Sequence, residues 1–591
     1  MRLSTLAIRS AAAGAAALLA TTAWAEPSAD GRFDSLAREH WEAFIQERPL
    51  FATDAGDPRY DDRLERVRPE DFQRRGALAA RYLERLRAMD PATLGPERRT
   101  AYRALERDLT LQAEMGLSAG ALLPRLYPIN WHQTFVEYAH RVRLQTPEQH
   151  RTYVGRLEAF AVQLDDFRVL LEAGLRRGYT QPCGSLDHFS AELRAARSRT
   201  PEESGYFTPL RAPADLPAAT AAELQAAAAG TIRERIHPAL DRLIAFVDGP
   251  YRARCRTRVG LSEVPGGAAW YATLARHYTT TDTPVAEIEA LGRAEVARLR
   301  GEMEAVMRET GFTGDLQAFA AMLREDPRFY ATTEADYLAR SAVVAKAADA
   351  VLLRYFHPED LPRLPFAIEP IPAELAPGAS ATNFYPPNAG ERKPGILYLN
   401  TYDLKARPLY ELPGLTLHNA MPGHHLQIVL QQAMADLPPQ VRYGDMVAYT
   451  EGWSLYAEWL GGEMGLYSDP YVRFGQLNME MWRALRLVVD PGLHLHGWTR
   501  EQAVTYMLEN SAMSRRAIEH EVDRYISWPA QSLSYRLGDL KFRELRARAE
   551  ARLGERFDIR DFHHAVLATG TVPLSALDAA VEDWLAAQEA P

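Results

Sequence analysis

Cysteine is scarce: Cys183 and Cys255 are the two cysteines in 591 residues. Two thiols cannot build the disulfide framework of a small secreted domain, nor a cysteine-rich metal site. An exported compartment would let them pair, and otherwise they stand as independent thiols; the sequence does not choose between these. Past residue 25 no apolar run approaches the ~20 residues a membrane span needs, which argues against membrane insertion. A basic surface is missing as well. Lys and Arg number 68 against 78 Asp and Glu, with the signs mixed along the chain, and the net charge of −10 disfavours nucleic acid as a partner.

The composition is that of a globular enzyme, 47% apolar and 25% charged. Residues 1–25 have the form of a signal peptide: Arg2 and Arg9, the apolar run SAAAGAAALLATTA, then Ala23-Trp24-Ala25 as a small-x-small cleavage site. Export with cleavage before Glu26 is expected. No cysteine stands at that junction to carry a lipid. From there to residue 356 the chain reads as a lobe of amphipathic helices. Segments such as FDSLAREHWEAFIQE and PEQHRTYVGRLEAFAVQLDDFRVLLEAGLRRG repeat apolar residues three and four apart.

Between 357 and 414 the pattern changes. Eleven prolines punctuate short extended pieces, including LPFAIEP and GILYLNT, which predict a small sheet. Helices resume near 413 and run to the end, so residues 357–591 form the expected catalytic lobe. The chemistry-bearing residues concentrate in 380–541.

The stretch LTLHNAMPGHHLQ places His418, His424 and His425 around a Pro-Gly step. A catalytic zinc takes three nitrogen or oxygen ligands and keeps one position open. On an unbroken helix, residues seven apart face the same way but lie about 10.5 Å apart along the axis, too far for one ion. Pro422 and Gly423 change that. Proline removes a helical hydrogen bond and glycine tolerates a positive φ, so a bulge brings His424 to the place usually reached four residues on. His418 and His424 are the preferred ligands, with His425 the alternative. A third ligand is expected from YTEGWSLYAE, where Glu451 and Glu458 sit seven apart on one face. Glu451 is preferred, with Glu458 orienting a ligating histidine from behind. Solvated or arginine-paired glutamates beside helix-capping histidines remain the alternative on spacing alone.

These residues resemble the bacterial family catalogued as domain of unknown function 885. Its signature HExxPGHHxQ, EGWxLYxE, VVDxGLHxxGW and ExxVxRYxxWPGQ corresponds, in order, to HNAMPGHHLQ, EGWSLYAE, VVDPGLHLHGW and EHEVDRYISWPAQSLSYRLG. The upstream NFYPPNAGERKPGILYLNT also fits. The resemblance is strong over about 380–545 and looser in the helical remainder. It implies a zinc-dependent, peptidase-like protein of glutamate-zincin type, similar to helical oligopeptidases and carboxypeptidases: mainly α, two-lobed, with a small β-sheet beside the active-site helix and a deep channel. Two departures stand out. Pro529-Ala530-Gln531 replaces Pro-Gly-Gln, and Asn419 occupies the position of the glutamate that acts as general base. An asparagine amide cannot accept a proton near neutral pH, and losing a general base costs about 10²- to 10⁴-fold in rate.

Within that frame Tyr525 is a candidate oxyanion donor, Arg524 a candidate anchor for a substrate carboxylate, and His494 a candidate for transition-state hydrogen bonding. A Glu521–Arg524 ion pair beside a core tyrosine is the alternative. GILYLNT is expected to offer a sheet edge to an extended peptide, with Tyr385 and Asn400 lining the cleft, and His425 is a further substrate-binding candidate. Trp453, Tyr456, Trp459 and Trp482 read as core. The expected function is an exported, periplasmic or secreted, zinc-dependent hydrolase of short peptides or related amides, weakened by Asn419. The alternative is a catalytically silent zinc or peptide binder on the same scaffold.

Overall fold

A computed structural model describes residues 28–126, 131–211, 216–373, 375–387 and 394–590; the expected leader lies outside the described residues. The described residues are mainly helical, with one small sheet among them. Among the described residues no helix is long and apolar enough to cross a membrane.

Local sequence explains the helices well. The 30-residue helix Pro147–Arg176 begins with Pro147 behind a capping box, in which Thr146 accepts from the Gln149 amide and the Gln149 side chain takes the Thr146 amide. Its buried face carries Leu157, Phe160, Leu164 and Leu171. Val285–Glu309 (α1) packs along Pro470–His494 (α5 below), so closely that a Cβ on Gly292 would lie 2.5 Å from Leu487 Cβ.

The sheet lies in the proline-rich stretch. Phe366–Pro370 (β1), Thr382–Tyr385 (β2) and Gly395–Leu399 (β3) pair in the order β1-β3-β2, with β1 parallel and β2 antiparallel to β3. This corrects the edge expected at GILYLNT: β3 is the central strand, with neighbours on both sides, and its Leu397 and Leu399 are fully buried. The edges are β1 and β2.

After the sheet come Leu412–Asn419 (α2), His424–Ala433 (α3), Val447–Glu463 (α4), Pro470–His494 (α5), Arg515–Ser527 (α6) and Ser534–Leu553 (α7). Apolar clusters contain residues from both sides of residue 356. One apolar cluster joins Phe33, Leu86 and Leu105 to Leu417, Trp453 and Phe562. Another joins Leu299 and Phe319 to Phe474, Val489 and Tyr525. Apolar faces on both sides of the sheet region are buried against each other, so the helices that carry His418, His424 and Glu451 are braced by the N-terminal half.

Cys183 and Cys255 are joined in a disulfide, closing a loop with a sequence separation of 72. Chain-entropy arguments assign a loop of that length about 4 kcal/mol. Replacing both cysteines by serine should therefore lower the urea midpoint of the oxidised protein, and a reductant should do the same to the unmodified chain. An unchanged midpoint in both cases would show that the link contributes nothing.

Candidate metal centre

α2 is apolar on nearly every side, with Leu412, Leu415 and Leu417 buried, and its last turn carries His418 and Asn419. The helix ends there. Ala420 donates back to Thr416 O, and Gly423 passes over the helix end, donating to Leu417 O at 3.0 Å. A Cβ on Gly423 would lie 2.0 Å from His418 O, so no larger residue fits. The bulge expected within one helix is thus a break between two, and Gly423, with φ −76°, is required for close approach rather than for a positive φ. α3 restarts at His424, and the His418 and His424 rings meet edge to face with centroids 4.7 Å apart.

The third group comes from α4. Gly452 lies against Gly538 of α7, where a Cβ would be 2.6 Å from the Gly538 Cα. This backbone-to-backbone crossing fixes the height of the neighbouring Glu451. Trp453 Nε1 donates to Pro422 O at 2.8 Å, tying α4 to the α2–α3 break.

His418 Nε2 is 3.2 Å and His424 Nε2 is 3.6 Å from Glu451 Oε2. Behind them, His424 Nδ1 is 2.9 Å from Ser454 Oγ, and His418 Nδ1 is 2.8 Å from Glu458 Oε1, at ion-pair distance but without hydrogen-bond alignment. Arg483 holds the same Glu458 oxygen at 3.3 Å. Ser454 thus holds the His424 imidazole at Nδ1, the Glu458 carboxylate stands behind His418 Nδ1, and both Nε2 atoms face Glu451.

The donor set suits zinc. Four tetrahedral donors at ~2.1 Å from one ion are about 3.4 Å apart, and the two histidine–glutamate separations straddle that figure. Glu451 Oε2 is buried with no aligned hydrogen-bond donor. Among the described residues no other group of three such side chains is gathered in this way. Without a cation the same cluster favours a proton. Burial disfavours the charged His418 imidazole, but Glu451 and Glu458 outweigh it and raise its pKa. Burial likewise opposes the Glu451 carboxylate, and the two histidines overcome it and hold its pKa well below the ordinary value.

The remaining candidates are dispersed. Asn419 is buried, and its Nδ2 donates to Leu415 O at 2.9 Å, back into its own helix. His425 turns away from the trio toward the sheet, with Nε2 on Leu364 O at 2.9 Å and its ring against Phe366 and Phe384; burial lowers its pKa to about 4. It is a packing residue. His494 corrects its expected role most clearly: Nδ1 accepts from the Leu261 amide and Nε2 donates to Tyr525 O, so both ring nitrogens are held by backbone. Tyr525 is buried, with Trp482 Nε1 and Arg486 Nε both donating to its hydroxyl at 3.0 Å. Arg524 bonds Glu521, Gln531 and Tyr535. Among the described residues no hydrogen bond or ion pair joins Tyr525 or Arg524 to the trio. Asn400 is buried and gives its Nδ2 to the carbonyls of Ala376, Ala379 and Ser380, which makes it a loop clamp rather than a cleft residue. Tyr385 stays on edge strand β2, its hydroxyl donating to Glu137 at 3.2 Å.

Sequence reasoning missed Ser454 and Arg483. Ser454 had a signal, being three residues after Glu451 on the same helical face. Arg483 had none, since its contact with Glu458 crosses between helices.

The family model described as "Bacterial protein of unknown function (DUF885)" matches residues 49–581. A crystal structure described as a "putative lipoprotein" from Colwellia psychrerythraea is similar, with a TM-score of 0.89 and 26% identity, over 95% of this chain and 100% of that one. A "putative lipoprotein of unknown function" from Shewanella oneidensis shares the fold, with a TM-score of 0.70 and 17% identity, over 93% and 99%. No curated protein matches.

If the Nδ1 partners orient the ligands, Ser454→Ala and Glu458→Gln should each weaken zinc binding by about 10- to 100-fold in competition with a chromophoric chelator. Thermal unfolding of each variant without metal separates this from misfolding. Zinc affinity equal to that of the unmodified protein would remove both residues from the site.

Proposed function

We propose that this chain, which belongs to the family described as bacterial proteins of unknown function (DUF885), is an exported zinc-dependent, metallopeptidase-like protein acting on short peptides or related amides. The observation that carries the reading is the convergence of His418 Nε2, His424 Nε2 and Glu451 Oε2, with Ser454 and Glu458 behind the imidazoles. Zinc held there would supply a Lewis acid able to polarise an amide carbonyl. The chain's own residues orient the ligands, Ser454 behind His424 and Glu458 behind His418.

A cavity of ≈ 680 Å³ lies near this site; His418, His424 and Glu451 are not in its wall, and Asp445 is the wall residue that connects it to them. The cavity runs between residues of the N-terminal helices, such as Trp41, Phe72 and Asp108, and the stretch Gly444, Asp445, Met446 that leads into α4. Asp445 lies close enough to Glu451 and His424 to feel both: burial and the Glu451 charge raise its pKa, while Thr450 and His424 lower it. Export is supported by the leader-like N-terminus, by the disulfide, and by the envelope character that the word lipoprotein gives the two similar structures.

Asn419 favours a second reading, a binder that does not hydrolyse. Its amide is committed to Leu415 O, and an amide cannot shuttle a proton. A carboxylate at this position could not donate to that carbonyl and would be free to turn toward the reacting water. Asn419→Glu should therefore raise peptide turnover by ~10² or more while zinc content stays the same. If the unmodified chain already turns over peptides at ~1–10³ s⁻¹, and glutamate adds nothing, another group is the base. If neither form hydrolyses any member of a peptide library while both hold zinc, the binder reading stands.

A further inference from the structure

A second cavity, of ≈ 240 Å³, opens beside the first turns of α2, on the stretch that carries Glu411 and Leu415. The other walls are the loops around 376–381 and 402–410, the Asn478–Trp482 turn of α5 and the start of α6. Much of the lining is apolar or aromatic, including Tyr330, Tyr410, Met479 and Trp482.

Two polar groups in this lining lack the partners their burial calls for. Tyr337 is 0% exposed, and its hydroxyl has no hydrogen-bond partner. Leaving a buried hydroxyl unpaired costs about 1–3 kcal/mol. Arg407 donates to two carbonyls, Asn400 O at 3.2 Å and Ala406 O at 3.3 Å, and has no carboxylate within ion-pair distance among the described residues. Burial lowers its pKa, and nearby Tyr337, Asp403 and Glu411 counter that effect. Tyr337 and Arg407 both line this cavity.

The acids on the walls are accounted for. Asp403 lies 3.6 Å from Arg516. Glu521 is held by Arg486 at 3.0 Å and Arg524 at 3.4 Å. Glu411 accepts from Asn478 Nδ2 at 2.9 Å, and burial pushes its pKa up to about 7, so near neutrality it carries only part of a charge. Asn400 braces the arrangement, since it clamps the 376–380 loop and takes the Arg407 Nε–H on its own carbonyl.

We propose that this cavity binds a small carboxylate with an aromatic or aliphatic body, the carboxylate bridging the Arg407 guanidinium and the Tyr337 hydroxyl. Guanidinium matches a carboxylate in a forked, charge-assisted geometry, and the orphan hydroxyl supplies a further donor. The aromatic and apolar walls take the body of the ligand. This site does not depend on the zinc reading.

The test is isothermal titration of the full chain with 3-phenylpropionate and with 3-phenylpropionamide, each with and without EDTA. The acid should bind at least about tenfold more tightly than the amide, unchanged by EDTA. Tyr337→Phe should weaken the acid about tenfold and leave the amide unaffected, with thermal stability equal or higher because no hydrogen bond is lost. Arg407→Gln, a second variant, should abolish the preference for acid over amide. Equal binding of acid and amide, no binding of either at millimolar concentration, or full affinity in Tyr337→Phe would overturn the assignment. So would loss of acid binding on chelation, which would locate the carboxylate at the metal trio.

Discussion

The candidate centre depends on how closely three backbone segments approach one another. At Gly452 and Gly538 the helices α4 and α7 touch main chain to main chain, and at Gly423 the chain crosses the open end of α2. The first contact sets the position of Glu451, and the second folds α3 back so that His424 faces His418. A side chain at either place would move a donor by more than the few tenths of an ångström that a metal site tolerates. Packing at this density transmits such a shift rather than absorbing it.

Around these contacts the core is polar as well as apolar. Arg536 is 0% exposed and pairs with Glu295, Glu480 and Asp539, linking α1, α5 and α7, while Arg543 bonds both Glu480 and Asp539. Buried charges of this kind gain little net stability, but breaking any one leaves another uncompensated, which penalises other helix registers. Asp490 does similar work nearby, accepting from Tyr271 Oη, the Ala530 amide and Ser532 Oγ. Ala530 has φ 66°, in the left-handed region where glycine is free of strain. The departure from Pro-Gly-Gln is therefore not neutral: alanine here carries about 1–2 kcal/mol of backbone strain, held in place by the Asp490 hydrogen bond.

Much of the trio was legible in sequence because its signal is local. Histidines around a Pro-Gly step and glutamates seven apart on an aromatic helix are patterns within single segments, and Glu458 follows from helical periodicity alone. What failed was long-range. That β3 is central depends on β2 reaching it from the preceding loop, which no alternation in GILYL reveals. His494 looked catalytic from its motif, yet both of its nitrogens answer backbone groups at Leu261 and Tyr525, 233 and 31 residues away. Arg483 and the unpartnered Tyr337 hydroxyl were invisible for the same reason. Their roles are set by what faces them across helices.

X-ray absorption at the zinc edge, on protein loaded with one equivalent of zinc, tests most directly whether His418, His424 and Glu451 hold the ion. Two imidazole nitrogens and a carboxylate oxygen should lie within ~2.0–2.2 Å, with low-mass scatterers alone in that shell. The imidazole signal should fall to one ring in His418→Ala and in His424→Ala, and stay at two in His425→Ala. Failure to retain zinc, or a two-imidazole signal that survives His418→Ala, would contradict that assignment.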